Sequence, residues 1–179
     1  MKPTRALTPR GTYFVTFSTW QRRRLFVVES YSRLFLKTLY YYRRQEKFEL
    51  HAFALMPEHV HLLLTPGPDI TLERSIQFIK GGYSHALGAE LDRKGEVWQR
   101  GFTDHRIRHN EDFENHRSYI HENPVKRDLV VSPSEYRYCS AFPGFKLDSW
   151  PSAAEAGFLF LGFCGTSELV PFPSLWLPA

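Results

Sequence analysis

The stretch FELHAFALMPEHVHLLLTP, residues 48–66, does most to limit what this chain can become. Two apolar runs of strand length meet at Pro57-Glu58, a dipeptide that ends a strand and starts a tight turn. The pattern predicts strands over about 48–56 and 59–65, the second stopped by Pro66-Gly67-Pro68. On a strand, residues two apart share a face. His59 and His61 therefore project side by side, while Val60 and Leu62 point the other way, toward packing helices. Two imidazoles so placed suit one metal ion. Equally, they are what two half-exposed histidines on an open sheet face look like.

The flanking sequence supplies the remaining elements. Thr12 to Trp20 alternates and is rich in β-branched and aromatic residues, the pattern of a strand. Apolar residues at Tyr31, Leu34, Phe35, Leu39 and Tyr42 predict a helix from about Ser30, as N-cap, to Phe48. Leu72, Ile76, Ile79, Tyr83 and Leu87 predict a second helix from an N-cap at Thr71 to about Leu91. Gly81-Gly82 inside it marks a bend or a close approach to a ligand. Residues 97–108 read as a fourth strand region. Asn110 then caps a helix with Glu111, Asp112 and Glu114 in its first turn, as the helix dipole favours, and Pro124 ends or bends it. The order β-α-β-β-α-β-α predicts an α+β, ferredoxin-like split β-α-β fold. Its antiparallel sheet carries helices on one face, and a late helix follows.

The length suits one domain, and 42% hydrophobic with 16% aromatic residues is enough for a core, which excludes a disordered chain. Residues 1–150 hold all 23 Lys and Arg and 17 of the 19 acids, a balance of +6; residues 151–179 carry two acids and no base, −2. The domain is thus expected over 1–150, behind a loose arm at 1–10. The proline-rich tail 151–179 is expected to pack on the sheet edge or to be partly disordered. The basic clusters Arg22-Arg23-Arg24, Arg43-Arg44 and Lys126-Arg127 suit phosphate binding or an ordinary solvated surface. Cys139 and Cys164 form neither a metal-type pair nor a disulfide framework, which suits a reducing, cytoplasmic setting. No signal peptide is evident at the N-terminus, and the most apolar stretch, 156–164, is far short of the ~20 residues that span a bilayer.

The late helix carries the other notable string, SYIHENPVK. Tyr119 and Asn123 are four apart and share a helical face, with His116 and Glu122 beside them. Phe113 and Ile120, seven apart, anchor another side in the core. Taken alone, Tyr119 is a boundary residue of an amphipathic helix as readily as a nucleophile.

Three strings, MPEHVHLLL (56–64), VWQRGFTDHRI (97–107) and YIHENPVKRDLV (119–130), occur in this order and spacing. Together they resemble the HUH-type single-tyrosine transposases, and more narrowly the REP-associated tyrosine transposases. The resemblance covers about residues 10–145. The histidine motif has Val60 at its middle, where the family name implies any bulky hydrophobe.

The resemblance implies a metal-dependent endonuclease and strand transferase acting on single-stranded DNA that carries a hairpin from a repetitive extragenic palindrome. It makes Tyr119 the nucleophile, which forms a 5′-phosphotyrosyl link and frees a 3′-hydroxyl. It makes His59, His61 and Asn123 the ligands of Mg²⁺ or Mn²⁺. It leaves the enzyme a monomer, or a homodimer with tyrosine donated across the interface as in insertion-sequence relatives. The chemistry is consistent. A phenol with a pKa near ~10 needs activation, and a metal on the phosphate supplies charge neutralisation. A phenolate is also a good leaving group, so a 3′-hydroxyl can reverse the attack. Two imidazoles by themselves would favour zinc or a later transition metal; Asn123 and the phosphate add the harder oxygens. His116 or His121 is a candidate acid or base. Arg22, Arg23, Arg24, Arg100, Arg106, Arg108, Lys126 and Arg127 are the candidate DNA contacts, alongside the sheet face and exposed aromatics. Two alternatives stand beside this reading. One is a metal phosphodiesterase that uses water. The other is an RNA-binding module, although its basic-Gly-aromatic-Gly/Ala-Phe-Val string is absent.

Overall fold

A computed structural model describes residues 11–150. The strands are β1 (Tyr13–Ser18), β2 (Phe48–Met56), β3 (His59–Pro66) and β4 (Thr103–Arg106), and the helices are α1 (Glu29–Arg44), α2 (Leu72–Leu91) and α3 (Asn110–Lys126). The sheet order is β2-β3-β1-β4, with every neighbouring pair antiparallel. This is the expected α+β arrangement. The N-terminal arm and the tail 151–179, with Cys164, lie outside the described residues. Among those described, no helix is long and apolar enough to cross a membrane.

Two cores lie on the two faces of the sheet. Tyr13, Val15 and Phe17 of β1 and Val60, Leu62 and Leu64 of β3 face α1 and α2. There they meet Leu34, Phe35 and Leu39, and Leu72, Ile76, Ile79, Tyr83 and Leu87. Ala52, Ala54 and Met56 of β2, with Leu63, face α3, where Phe113 and Ile120 cover them. A register shift between Leu50 and Ala52 divides β2. Phe48 and Leu50 face α1 and α2 before it, and Phe53 and Leu55 do so after it. The extra residue of a bulge flips the side-chain alternation in this way. Small alanines then fall on the other face, so α3 can sit close to the sheet.

Several local readings are corrected. α1 starts at Glu29 with Val28 as N-cap, and it stops at Arg44 because Glu46 is left-handed (φ 52°). The region 97–102 bridges Thr19 at Trp98 but forms no strand. Its Trp98 instead donates from Nε1 to the Lys80 carbonyl (2.9 Å) and packs on Phe17 and Phe26. Gly82 serves packing rather than a ligand or a bend: a Cβ there would lie 2.3 Å from the Tyr42 ring. His109, not Asn110, caps α3, its Nδ1 accepting from Asp112 N (3.2 Å). Pro124 does not end α3. It removes one donor near the last turn, which is closed by Arg127 N to Asn123 O (3.2 Å).

Residues 127–150 are mostly irregular and are tied down along β2. Cys139 bridges Ala54, Trp150 stacks on Phe113 (4.6 Å, 11°), and Asp148 binds Arg43 Nε (2.7 Å) and Leu50 N (2.7 Å). Burial alone would raise the Asp148 pKa, but the Arg43 and Leu50 hydrogen bonds outweigh it and hold the carboxyl below its ordinary value. A depressed carboxylate contributes stability above its unfolded pKa, near ~3.9, and loses it as pH falls through the folded value. Asp148→Asn is expected to lower unfolding free energy by about 2 kcal/mol at neutral pH. Urea melts of the two proteins should converge as the pH falls below the carboxylate range.

Candidate active site

The pleat of β3 turns His59 and His61 away from α1 and α2, toward α3, and both are nearly buried, at 5% and 4% exposure. Their Nε2 atoms lie 3.0 Å apart, with the rings at 84°. Each Nδ1 has its own oxygen partner. His59 Nδ1 faces Glu58 Oε1 at 3.1 Å, and His61 Nδ1 faces the Thr16 hydroxyl at 2.8 Å. The Thr16 contact follows from register, because Thr16 stands directly opposite His61. With each Nδ1–H donating, both Nε2 lone pairs point at one place. Burial lowers both pKa values; for His61, burial and the neighbouring His59 bring it to about 3. The pair is therefore neutral, the form that binds metals. Two lone pairs this close repel unless a proton or a cation lies between them. Their spacing is also near the roughly 3.3 Å edge of a tetrahedron with ~2.05 Å bonds, so the pair fits a divalent ion.

α3 brings the second half of the site. The Tyr119 ring meets the His61 ring edge-on at 5.6 Å and the Phe14 ring at 5.7 Å. Phe14 also lies against His61 (5.5 Å), so it forms a common wall for both halves. Tyr119 is 43% exposed and open to a substrate. Lys126 Nζ stands 5.3 Å from its ring centroid, a cation–π contact. Asn123, one turn on and buried, donates from Nδ2 to Tyr119 O (3.4 Å) and hydrogen-bonds His61. The four residues singled out from sequence thus meet in one place.

Glu58 joins the two halves. Its Oε1 accepts from Arg127 Nη2 (3.1 Å) and lies 3.7 Å from Arg22 Nη2, besides facing His59. The hairpin turn is thereby linked to the C-terminal end of α3. Glu58→Ala is expected to weaken divalent-metal affinity about tenfold to a hundredfold, since the carboxylate fixes the His59 tautomer. Isothermal titration with Mn²⁺, beside an unchanged circular dichroism spectrum, checks this.

The basic candidates divide. Arg22, Lys126 and Arg127 adjoin the site, and Arg23 and Arg24 follow Arg22 on the exposed turn after β1. Arg100 is exposed beside Gln99, whose N–H bonds Ser18 O, at the histidine end of the sheet. Arg106 pairs with Tyr13 at the far end of β1, and Arg108 precedes α3 there. The open sheet face expected to carry DNA is largely closed, because α3 and Cys139 cover the β2 and β3 portion of it. His121 is engaged by Ser140 Oγ (3.0 Å) and points away from the pair.

The sequence reading missed Glu58, Thr16 and Phe14, and also His105 and Asp112. His105, Asp112 and His116 form a tight group that could hold a metal. Asp112 and His116, four apart on a helix, were the available signal; His105 needs the β4 pairing.

The Transposase IS200 like family matches residues 9–123, which include His59, His61, Tyr119 and Asn123. The chain is 31% identical over 129 residues to the REP-associated tyrosine transposase of Escherichia coli, covering 72% of this chain and 74% of that one. It is 28% identical over 160 residues to a "Putative REP-associated tyrosine transposase" of Haemophilus influenzae, covering 82% and 89%. A solved REP-associated tyrosine transposase bound to a REP hairpin superposes with a TM-score of 0.65 at 28% identity, covering 78% of this chain and 82% of that one. The chain belongs to the IS200-like transposase family, with the REP-associated tyrosine transposases, and is therefore an enzyme.

Proposed function

We propose that the chain cleaves and rejoins single-stranded DNA next to a hairpin of a repetitive extragenic palindrome, with Tyr119 as nucleophile. The observation that carries this reading is the convergence of the His59 and His61 Nε2 atoms, 3.0 Å apart, beside the exposed Tyr119 ring. A hairpin substrate is supported by the REP hairpin bound to the structural relative.

His59, His61 and the Asn123 side-chain Oδ1 would hold Mg²⁺ or Mn²⁺, which supplies charge neutralisation at the phosphate. The chain's own groups do the rest. Phe14, in contact with both rings, sets Tyr119 against His61, and Lys126 places a positive charge beside the Tyr119 ring, where it can meet the phosphate. The Tyr119 oxygen attacks phosphorus, the bond to the 3′-oxygen breaks, and that oxygen leaves as a hydroxyl after taking a proton. Phosphate stays on tyrosine as a 5′-phosphotyrosyl link, and reversal with another 3′-hydroxyl rejoins a strand. Tyr119 reaches the histidines of its own chain, which supports a site completed within one monomer.

Incubation with an end-labelled hairpin oligonucleotide tests the reading. The expected result is a covalent protein–DNA band on a denaturing gel, abolished by chelator and restored by Mn²⁺. Cleavage without any such band would assign the attack to water instead.

A further inference from the structure

His105 of β4 and Asp112 and His116 of α3 form a second convergent donor set, separate from the His59–His61 pair. His105 Nε2 lies 3.0 Å from Asp112 Oδ2, and His116 Nδ1 lies 3.0 Å from Asp112 Oδ1. All three ligand atoms fall within 4.8 Å of one another. These separations approach the roughly 3.3 Å edge of a tetrahedral zinc site. The set is also held in place: His116 Nδ1 donates to the Asp112 carbonyl oxygen (2.8 Å), a bond that the ion would replace. The two imidazoles stack at 4.6 Å and 17°, His116 rests on Phe14 at 4.9 Å, and Asp112 is further held by Arg108 N (3.1 Å). Asp112 and His116 are four apart on one helical face, so both project toward β4. Two nitrogens and one carboxylate, half exposed at His105, leave a fourth position for water.

We propose that His105, Asp112 and His116 bind a second metal ion, of the zinc class, which ties β4 to the N-terminal half of α3. The ion steadies the helix that carries Tyr119, through the Phe14 wall shared by His116, His61 and Tyr119. The site stands independently of the roles given to His59, His61 and Tyr119.

The full chain carrying His59→Ala and His61→Ala, saturated with Zn²⁺ and desalted, tests this by metal analysis. About one ion per chain should remain, and Co²⁺ in its place should give the visible absorption of tetrahedral coordination. Adding His105→Ala, a half-exposed position, should remove the ion without changing the circular dichroism spectrum. No retained zinc in the double variant, or equal retention after His105→Ala, overturns the proposal. If the double variant does not fold, His105→Ala alone is compared with the wild type. Zinc content should then fall by about one ion per chain, and the zinc-induced rise in Tm should shrink; unchanged zinc content overturns it. Cleavage plays no part in these readouts, so failure of the functional reading would appear separately, as a missing covalent band.

Discussion

Tyr119→Phe is expected to reduce strand cleavage by at least about 10³-fold and to abolish the covalent band, while hairpin binding stays within a few-fold of wild type. The substitution removes one oxygen from a ring that is 43% exposed and leaves its packing on His61 and Phe14 intact. Fold and metal pair should therefore persist. A denaturing gel with a labelled hairpin, beside a gel-shift titration, separates loss of chemistry from loss of binding. Cleavage near the wild-type rate would remove Tyr119 from the nucleophile's place.

His61→Ala should be nearly as severe. It removes one of two convergent Nε2 donors and leaves the Thr16 hydroxyl and the Asn123 amide without their shared partner. The charge neutralisation lost is several kcal/mol, or about 10²- to 10³-fold in rate at roughly 1.36 kcal/mol per decade. Mn²⁺ titration should show the loss in affinity, and raised Mn²⁺ should restore part of the rate. Full activity with His61→Ala at ordinary metal concentration would place the ion elsewhere. The pH dependence has a definite sign. Burial and the neighbouring His59 keep the His61 pKa at about 3, so His61 should not be lost as a ligand to protonation between pH 8 and 5.

Much of this is legible in the sequence, for reasons of periodicity. The β2–β3 hairpin was readable because Pro57-Glu58 interrupts two apolar runs, and its predicted ends fall within a residue of those observed. The shared face of His59 and His61 follows from the period of two, and that of Tyr119 and Asn123 from the helical turn. Other features depended on contacts that no local window holds. The length of β4 was overread because Trp98, in a strand-like string, is drawn into the α1–α2 core. Pro124 reads as a terminus because the local rule ignores the packing of Ile120 under the sheet and the burial of Pro124 itself. Thr16 and His105 became visible only through strand register. The basic residues were least legible: Arg22 and Arg127 both answer to Glu58, a link that spans the chain.

The alanines of β2 have a consequence for when the enzyme can act. The His59–His61 pair rides on the sheet and Tyr119 on α3, which is seated on Ala52, Ala54 and Met56 through Phe113 and Ile120. Docking that helix and assembling the site are one event. On the proposed reading, a chain in which α3 has not yet closed on the sheet, whether newly made or partly opened, holds every reactive group and is still not expected to nick a strand. For the DNA-cleaving activity proposed above, this makes completed folding a safety catch.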